Sequence, residues 1–151
     1  MPSSGSALRL QEYLPYRLSV AANAVSGLIA RAYQDRFGLR IPQWRLIAVL
    51  AEEGPLTPQA LCERTVMDKV TVTRAAQALL RRRLVRRRPN DRDGRSHRLA
   101  LTRAGERLYL QIAPLALRYE QQLLGGMSTA EVERLLEQLR RLQSAATAGG
   151  D

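Results

Sequence analysis

Asp68 is followed by Lys69-Val70-Thr71-Val72-Thr73-Arg74, which sets short polar groups and cations along two turns of a candidate helix. A helix presenting such side chains at its N-terminal end can lie in a major groove about 12 Å wide, where it reads base edges and bonds phosphates. Asp68 has the chemistry of an N-cap, and Val72, Ala75, Ala76 and Leu79 share one face at helical spacing. The other side of the stretch 68–83 carries Lys69, Val70, Thr71, Arg74, Ala78 and Arg81, with no acid after the cap. A merely solvated face usually mixes both charge signs. The stretch therefore reads as a nucleic-acid probe, its specificity in Lys69 to Arg74, Thr73 included, and its Arg-rich end, with Arg81, an anchor for phosphates.

The rest of the composition agrees with a polyanionic partner. Twenty-four Lys and Arg stand against fourteen Asp and Glu, a net charge of +10, and Lys69 is the only lysine. Nine of the arginines and two aspartates lie between Arg81 and Arg98, a local excess of +7 beside the probe. Charge alone would suit a membrane surface or an acidic protein equally well, so its focusing decides. Cys62 and His97 are the only residues of their kinds. This argues against an internal disulfide, a Cys or His metal cluster and a Ser-His-Asp triad, so no cofactor and no catalytic site are expected. No apolar run approaches the roughly 20 residues of a membrane span, and no secretory pattern opens the chain, so a cytoplasmic protein is expected.

The elements that must hold the probe follow from periodicity. Leu8 to about Phe37 reads as one long helix, which Pro15 either kinks or starts. Its segment Val20 to Ala24 is apolar almost all round, which suggests cover from a second copy. Gly38 is placed to end it in a left-handed conformation, and Pro42 to start the next helix, with Trp44, Ile47, Ala48 and Ala51 as its buried stripe. Thr57-Pro58 opens a short helix to about Thr65, with Ala60, Leu61 and Cys62 inward; Thr65-Val66-Met67 connects it to the capped probe, making a helix-turn-helix. Leu84 to Arg88 and His97 to Leu101 read as two strands around a polar tip, Asn90 to Ser96. Such a hairpin is a wing, whose tip cations Arg92 and Arg95 can enter a minor groove. Thr102 caps a helix interrupted by Pro114, Gly125-Gly126 breaks it, and Ser128 with Glu131 forms a capping box for a last helix striped by Val132, Leu135, Leu136, Leu139 and Leu142. That stripe needs a partner surface, and Ala145 to Asp151 should fray.

With these elements in place, the chain resembles regulators of the MarR (multiple antibiotic resistance regulator) family from roughly Leu14 to Leu142. The residues that carry the likeness are IPQWRLIAVL at 41–50, MDKVTVTRAAQALLRRRLVRR at 67–87 and DRDGRSHRLALTRAGERLY at 91–109. The resemblance implies a mainly α fold with a small β-hairpin: a winged helix-turn-helix with long N- and C-terminal dimerisation helices. It implies one domain over 1–151, in which 42–101 is the DNA-binding lobe and 8–37 and 102–145 mainly dimerise. It also implies a wing pair, with Arg95 in the minor groove and Asp93 holding its guanidinium. A homodimer would set two probe helices about one DNA turn apart on an inverted-repeat operator, as a repressor released by a small molecule. In the family the effector pocket lies between the dimerisation helices and the DNA-binding lobe, which makes Tyr16, Arg17, Asn23 and Trp44 its candidates here; an anionic aromatic or an acyl thioester would suit Arg17. Two positions depart from the pattern. Arg83 stands where a glycine commonly closes the probe helix, and Arg40 where Thr or Ser commonly caps the second helix.

Competing readings sharpen these assignments. Arg74, the first choice for a DNA contact, could instead pair with Asp68 or Glu63 as a surface ion pair. Cys62 reads as a small core residue rather than a redox switch, since the oxidant-sensing cysteine of the family lies in the first helix and this chain has none there. His97 reads as a packing or bonding residue of the wing. The rival functions are an architectural protein that binds DNA by charge alone and an enzyme, for which no nucleophile-base pair, phosphate loop or metal cluster is legible.

Overall fold

The computed structural model describes residues 7–90 and 93–150, and the side chains of all of these except 90–96. Two compact units divide at Ala116/Leu117. In the first, a 3₁₀ turn at Leu10–Glu12 precedes α1 (Leu14–Ala30), α2 (Gln34–Phe37), α3 (Ile41–Glu53), α4 (Pro58–Thr65), α5 (Lys69–Arg81), β1 (Val85–Asn90), β2 (Asp93–Leu101) and the start of α6 (Arg103–Leu123). The second holds the end of α6 and α7 (Thr129–Ala148).

The expected first helix is divided. Pro15 sits in the first turn of α1, where its missing N–H costs nothing, so it marks a start and not a kink. The helix does not reach Phe37: Arg31, Ala32 and Tyr33 bond back only three residues, to Leu28, Ile29 and Ala30. This tighter turn buries Ala30, Ala32 and Tyr33 together, which a single α-helical face could not do. One further turn, α2, ends at Gly38 with φ 64°, the left-handed terminator the sequence indicates. Leu39 then goes into the core.

Helix α3 lies in the middle of the unit, packed on α4, α5 and β2. Its fully buried residues are Leu46, Ile47 and Leu50. The expected stripe is therefore turned: Ile47 is central, whereas Trp44, Ala48 and Ala51 are half-buried. Trp44 is held instead in a three-ring stack, 5.5 Å from Tyr33 and 5.8 Å from Tyr109 between centroids, which ties α3 to the turn between α1 and α2 and to α6. Burial pushes the Tyr33 phenol above its ordinary range, with the Arg45 charge opposing this. Arg40 occupies the N-cap of α3, and the Gln43 side chain accepts its backbone N–H at 3.1 Å. This is half of a capping box, because a guanidinium cannot accept the reciprocal bond.

The wing is longer than the sequence reading. Its strands pair antiparallel from Val85↔Leu101 to Pro89↔His97, with an irregularity before Asn90↔Asp93. Leu56, before α4, adds a single bridge to Leu99, with N–H···O bonds of 3.1 and 2.8 Å, so the helix-turn-helix is stitched directly to the wing. His97 is exposed, not packed.

Helix α6 runs unbroken through Pro114 to Leu123. The Ser128 hydroxyl caps α7 by accepting the Glu131 N–H at 3.1 Å, and the Glu131 carboxylate accepts from that hydroxyl instead of from the Ser128 backbone. Helix α7 extends to Ala148, past the expected fraying point. Its Leu135, Leu136, Leu139 and Leu142 are all exposed, as are Leu14, Leu18, Val20 and Val25 of α1.

The junction after α5 is closed without glycine. Arg83 takes φ 57°, its N–H bonds the Leu80 carbonyl, and the Leu84 N–H bonds the Leu79 carbonyl, both at 3.0 Å. This is the Schellman arrangement, completed by burial of Leu79 and Leu84. Thr102 then donates its hydroxyl to the Arg83 carbonyl at 2.7 Å and accepts the Gly105 N–H at 3.1 Å. A Cβ on Gly105 would collide with the Leu84 carbonyl oxygen. Replacing Gly105 by Ala is accordingly expected to cost about 1–3 kcal/mol, the range for overpacking. Arg83→Gly is expected to gain a few tenths to about 1 kcal/mol, as relief of the left-handed cost exceeds the added chain entropy. Thermal unfolding of both variants checks the pair, and a lowered midpoint for Arg83→Gly would contradict the strain.

Candidate nucleic-acid interface

The face of α5 follows from its cap. Asp68 Oδ1 accepts the Thr71 N–H at 2.7 Å and Oδ2 its hydroxyl at 3.0 Å, so the helix starts where the sequence indicates. These bonds, the backbone one foremost, hold the Asp68 carboxyl below its ordinary range. They also occupy one of the two threonines expected to face DNA. Val72, Ala75, Ala76 and Leu79 are all buried, which turns Lys69, Val70, Thr73, Arg74, Gln77 and Arg81 outward. Val70 remains 59% exposed, an uncovered aliphatic at the leading end of a basic helix.

Arg74 stands free. The ion pairs among the described residues are Arg9–Glu12, Arg64–Glu53 and Arg140–Glu137, so neither Asp68 nor Glu63 holds Arg74. Arg64 lies against both carboxylate oxygens of Glu53, at 2.8 and 3.1 Å, and pins the end of α4 to the end of α3. That pair raises the Arg64 guanidinium further above its ordinary range.

A cleft of about 550 Å³ opens between α5 and the start of α3, lined by Arg40, Gln43, Thr71, Arg74, Gln77 and Arg81. Among the described residues three guanidinium groups and no carboxylate share it, a concave surface attractive to anions. Arg40 joins the probe face here, which its place in the sequence did not indicate: it lies 34 residues before Arg74 and looks like a poor helix cap. The only signal was the unexpected cation at a capping position.

The Arg-rich stretch divides. Arg81 lines the cleft, while Arg82 points onto the carbonyls of Phe37 and Gly38. In the wing, Arg88 sits directly across from Arg98, and Arg86 lies two residues along on the same face. Like charges opposite one another are destabilising, and a polyanion relieves the repulsion. Arg92 lies outside the described residues; Asp93 and Arg95 belong to β2, and their side chains likewise lie outside what is described.

The four effector candidates are dispersed by different demands. Trp44 is engaged in the aromatic stack. Tyr16 is half-buried, Arg17 donates to the Gln11 side chain at 2.9 Å, and Asn23 is an exposed amide in the single chain. A second cavity of about 510 Å³ lies among the end of α3, the wing and α6, lined by Arg86, Arg88 and Glu106 together with Leu50, Tyr109 and Leu110. None of the four candidates lines it. Cys62 is half-buried rather than core, on a groove it shares with Lys69 and Thr73. Among the described residues there is no cluster of metal-binding side chains, and no helix is long and apolar enough to cross a membrane.

Comparison with known proteins identifies this arrangement. A sequence model of the MarR family matches residues 37–96. The HTH-type transcriptional regulator FarR of Neisseria gonorrhoeae is 32% identical over 106 residues, 68% of this chain and 73% of FarR. A probable transcriptional regulator from Pseudomonas aeruginosa, of known crystal structure, is 30% identical with a TM-score of 0.77, covering 89% of this chain and 99% of its own. BpsR of Bordetella bronchiseptica, whose structure concerns regulation of its DNA binding by 6-hydroxynicotinic acid, shares the fold, with a TM-score of 0.83 at 22% identity over 91% of this chain and 98% of its own. The winged helix-turn-helix, its basic probe helix and these relatives together place the chain in the MarR family of DNA-binding transcriptional regulators.

Proposed function

We propose that the protein is a homodimeric, cytoplasmic repressor that binds an inverted-repeat operator through α5 and the wing and leaves it on binding a small acidic molecule. The observation that carries the DNA-contact reading is the acid-free face of α5, on which Lys69, Val70, Thr73 and Arg74 project and which continues into the cleft with Arg40 and Arg81. Arg74 reads base edges, Lys69, Arg40 and Arg81 bond phosphates, and Thr71 divides its hydrogen bonding between its cap and DNA. Arg92, Asp93 and Arg95 serve the minor groove from the wing. A non-specific architectural role fits the charge, but an exposed Val70 among short polar residues is the mark of a surface that meets base edges.

Dimerisation is supported by the two uncovered apolar stripes, on α1 and on α7, since a soluble monomer rarely leaves such surfaces to water. Two copies related by a two-fold axis supply two probe helices for two half-sites. The effector reading is supported by BpsR and by the second cavity, whose apolar floor and two arginines, against the single carboxylate of Glu106, leave a net positive lining that fits an aromatic carboxylate. Tyr16, Arg17, Asn23 and Trp44 are left as candidates for the assembled dimer, where α1 acquires a partner.

Three outcomes are expected. With an operator recovered by in vitro selection, Arg74→Ala weakens specific binding by about 1–3 kcal/mol in an anisotropy titration while the fold is retained; unchanged affinity removes Arg74 from the interface. Sedimentation of the free protein gives a dimer, and Leu136→Glu with Leu139→Glu shifts it toward monomer, whereas a wild-type monomer contradicts the two-fold scheme. Millimolar 6-hydroxynicotinate or benzoate raises the unfolding midpoint and lowers operator affinity, and Arg88→Ala removes the thermal shift if the acid sits beside the wing.

A further inference from the structure

Arg81, Arg82 and Arg83 are consecutive, identical in chemistry and exposed, yet the fold gives them three different environments. Arg81 faces the cleft, and Arg83 supplies the left-handed turn. Arg82, the C-cap of α5, reaches back more than forty residues: its Nη2 donates to the Phe37 carbonyl at 2.9 Å and its Nη1 to the Gly38 carbonyl at 3.2 Å.

Those two oxygens lie at the C-terminal end of α2, where carbonyls have no partner within the helix. The left-handed Gly38 turns the chain toward Leu39, which is buried, and so into α3. Two successive carbonyls form an acceptor pair that the rigid fork of a guanidinium can span, whereas an ammonium is a single rotating point of charge. Where α5 ends, Arg82 thus fastens it to the corner from which α3 departs. The same corner follows Tyr33, the outer ring of the stack on Trp44, and the Tyr33 carbonyl accepts the Leu39 N–H at 3.1 Å.

We infer that Arg82 is a positioning residue for DNA recognition and not a phosphate contact: its guanidinium fork on Phe37 and Gly38 sets the attitude of the probe helix against the α2–α3 corner, and through that attitude the operator preference. The inference rests on the reading of α5 as the probe helix. A positioning residue and a phosphate anchor leave different traces. Each lost phosphate contact lowers the slope of log K against log salt by about 0.9 and weakens all sequences alike. A lost fork leaves that slope in place and weakens the specific site selectively.

The test uses the full chain, its selected operator and an unrelated duplex of equal length, titrated from low to physiological salt for wild type, Arg82→Lys, Arg82→Ala and Arg81→Ala. Both Arg82 variants are expected to lose about tenfold in operator affinity, with unchanged affinity for the unrelated duplex and an unchanged slope, and Arg81→Ala to lose slope on both duplexes. The inference is overturned if Arg82→Lys binds like wild type while Arg82→Ala loses slope, or if neither variant alters operator affinity. Ile112→Val, a core change in α6 that leaves the Arg82 fork and its two carbonyls in place, controls for stability: a comparable drop in unfolding midpoint with intact operator binding supports positioning. If it loses operator affinity equally, the effect is one of general destabilisation and the inference fails. A wild-type chain that prefers no sequence would instead overturn the reading of α5 itself.

Discussion

The recognition helix has to stop within one residue and send the chain back as a strand, and the hydroxyl of Thr102 is the interaction on which this depends. It donates to the carbonyl of Arg83, accepts the N–H of Gly105, and sits on a residue whose own N–H bonds the Leu84 carbonyl at 3.0 Å. The end of α5, the base of both wing strands and the first turn of α6 are therefore joined through one side chain. Gly105 permits the approach, because any Cβ there would meet the Leu84 carbonyl. A polar node of this kind stabilises little on its own, about 1 kcal/mol per hydrogen bond, but leaving the Arg83 carbonyl or Gly105 N–H without a partner would cost more. Its effect is geometric: it fixes where the wing leaves relative to the probe.

Strain collects at both ends of the same helix. Val66 and Arg83 are the non-glycine residues with positive φ among those described, at 54° and 57°. Val66 precedes the cap Asp68 by two residues and is 77% exposed, so no packing rewards a β-branched side chain in that conformation. The two turns hold α5 between sharp reversals, and Leu61, Val72 and Leu79, all fully buried, resist its relaxation. A helix held in this way can present Lys69 to Arg74 at a set angle without help from the DNA.

Much of this was readable from residue types alone. Asp68 before an apolar period, Thr57 before Pro58 and Gly38 before Pro42 are local signals, decided by backbone hydrogen bonding within a few residues, and each appears where the sequence points. The failures are tertiary. Tyr33 breaks the first helix because it must reach Trp44, and Leu46 and Leu50 displace Ala48 and Ala51 from the core because α3 is covered from several sides. Nothing in Leu56 announces its bridge to Leu99, and a run of arginines cannot show which member turns inward. Arg83 was conspicuous as a missing glycine; that it would adopt the glycine conformation depends on Thr102, nineteen residues later.

The charge of the chain then has a more specific meaning than attraction. Arg88 against Arg98 is a repulsive pair written into the ladder of the wing, and Arg40, Arg74 and Arg81 crowd a cleft without a counter-charge. Each costs stability in the free protein, and under the proposed DNA contacts phosphates relieve it, so the free-energy difference between bound and free states is enlarged from the unbound side. Folding strength elsewhere must tolerate this, and the stacked Tyr33, Trp44 and Tyr109 and the buried Leu46, Ile47, Leu61 and Leu79 supply it close behind the charged surface. An arginine moved from that surface onto the protein, as Arg82 is, exchanges attraction for aim. The basic face is for this reason better described as a few directed cations on a braced helix than as a uniform positive patch.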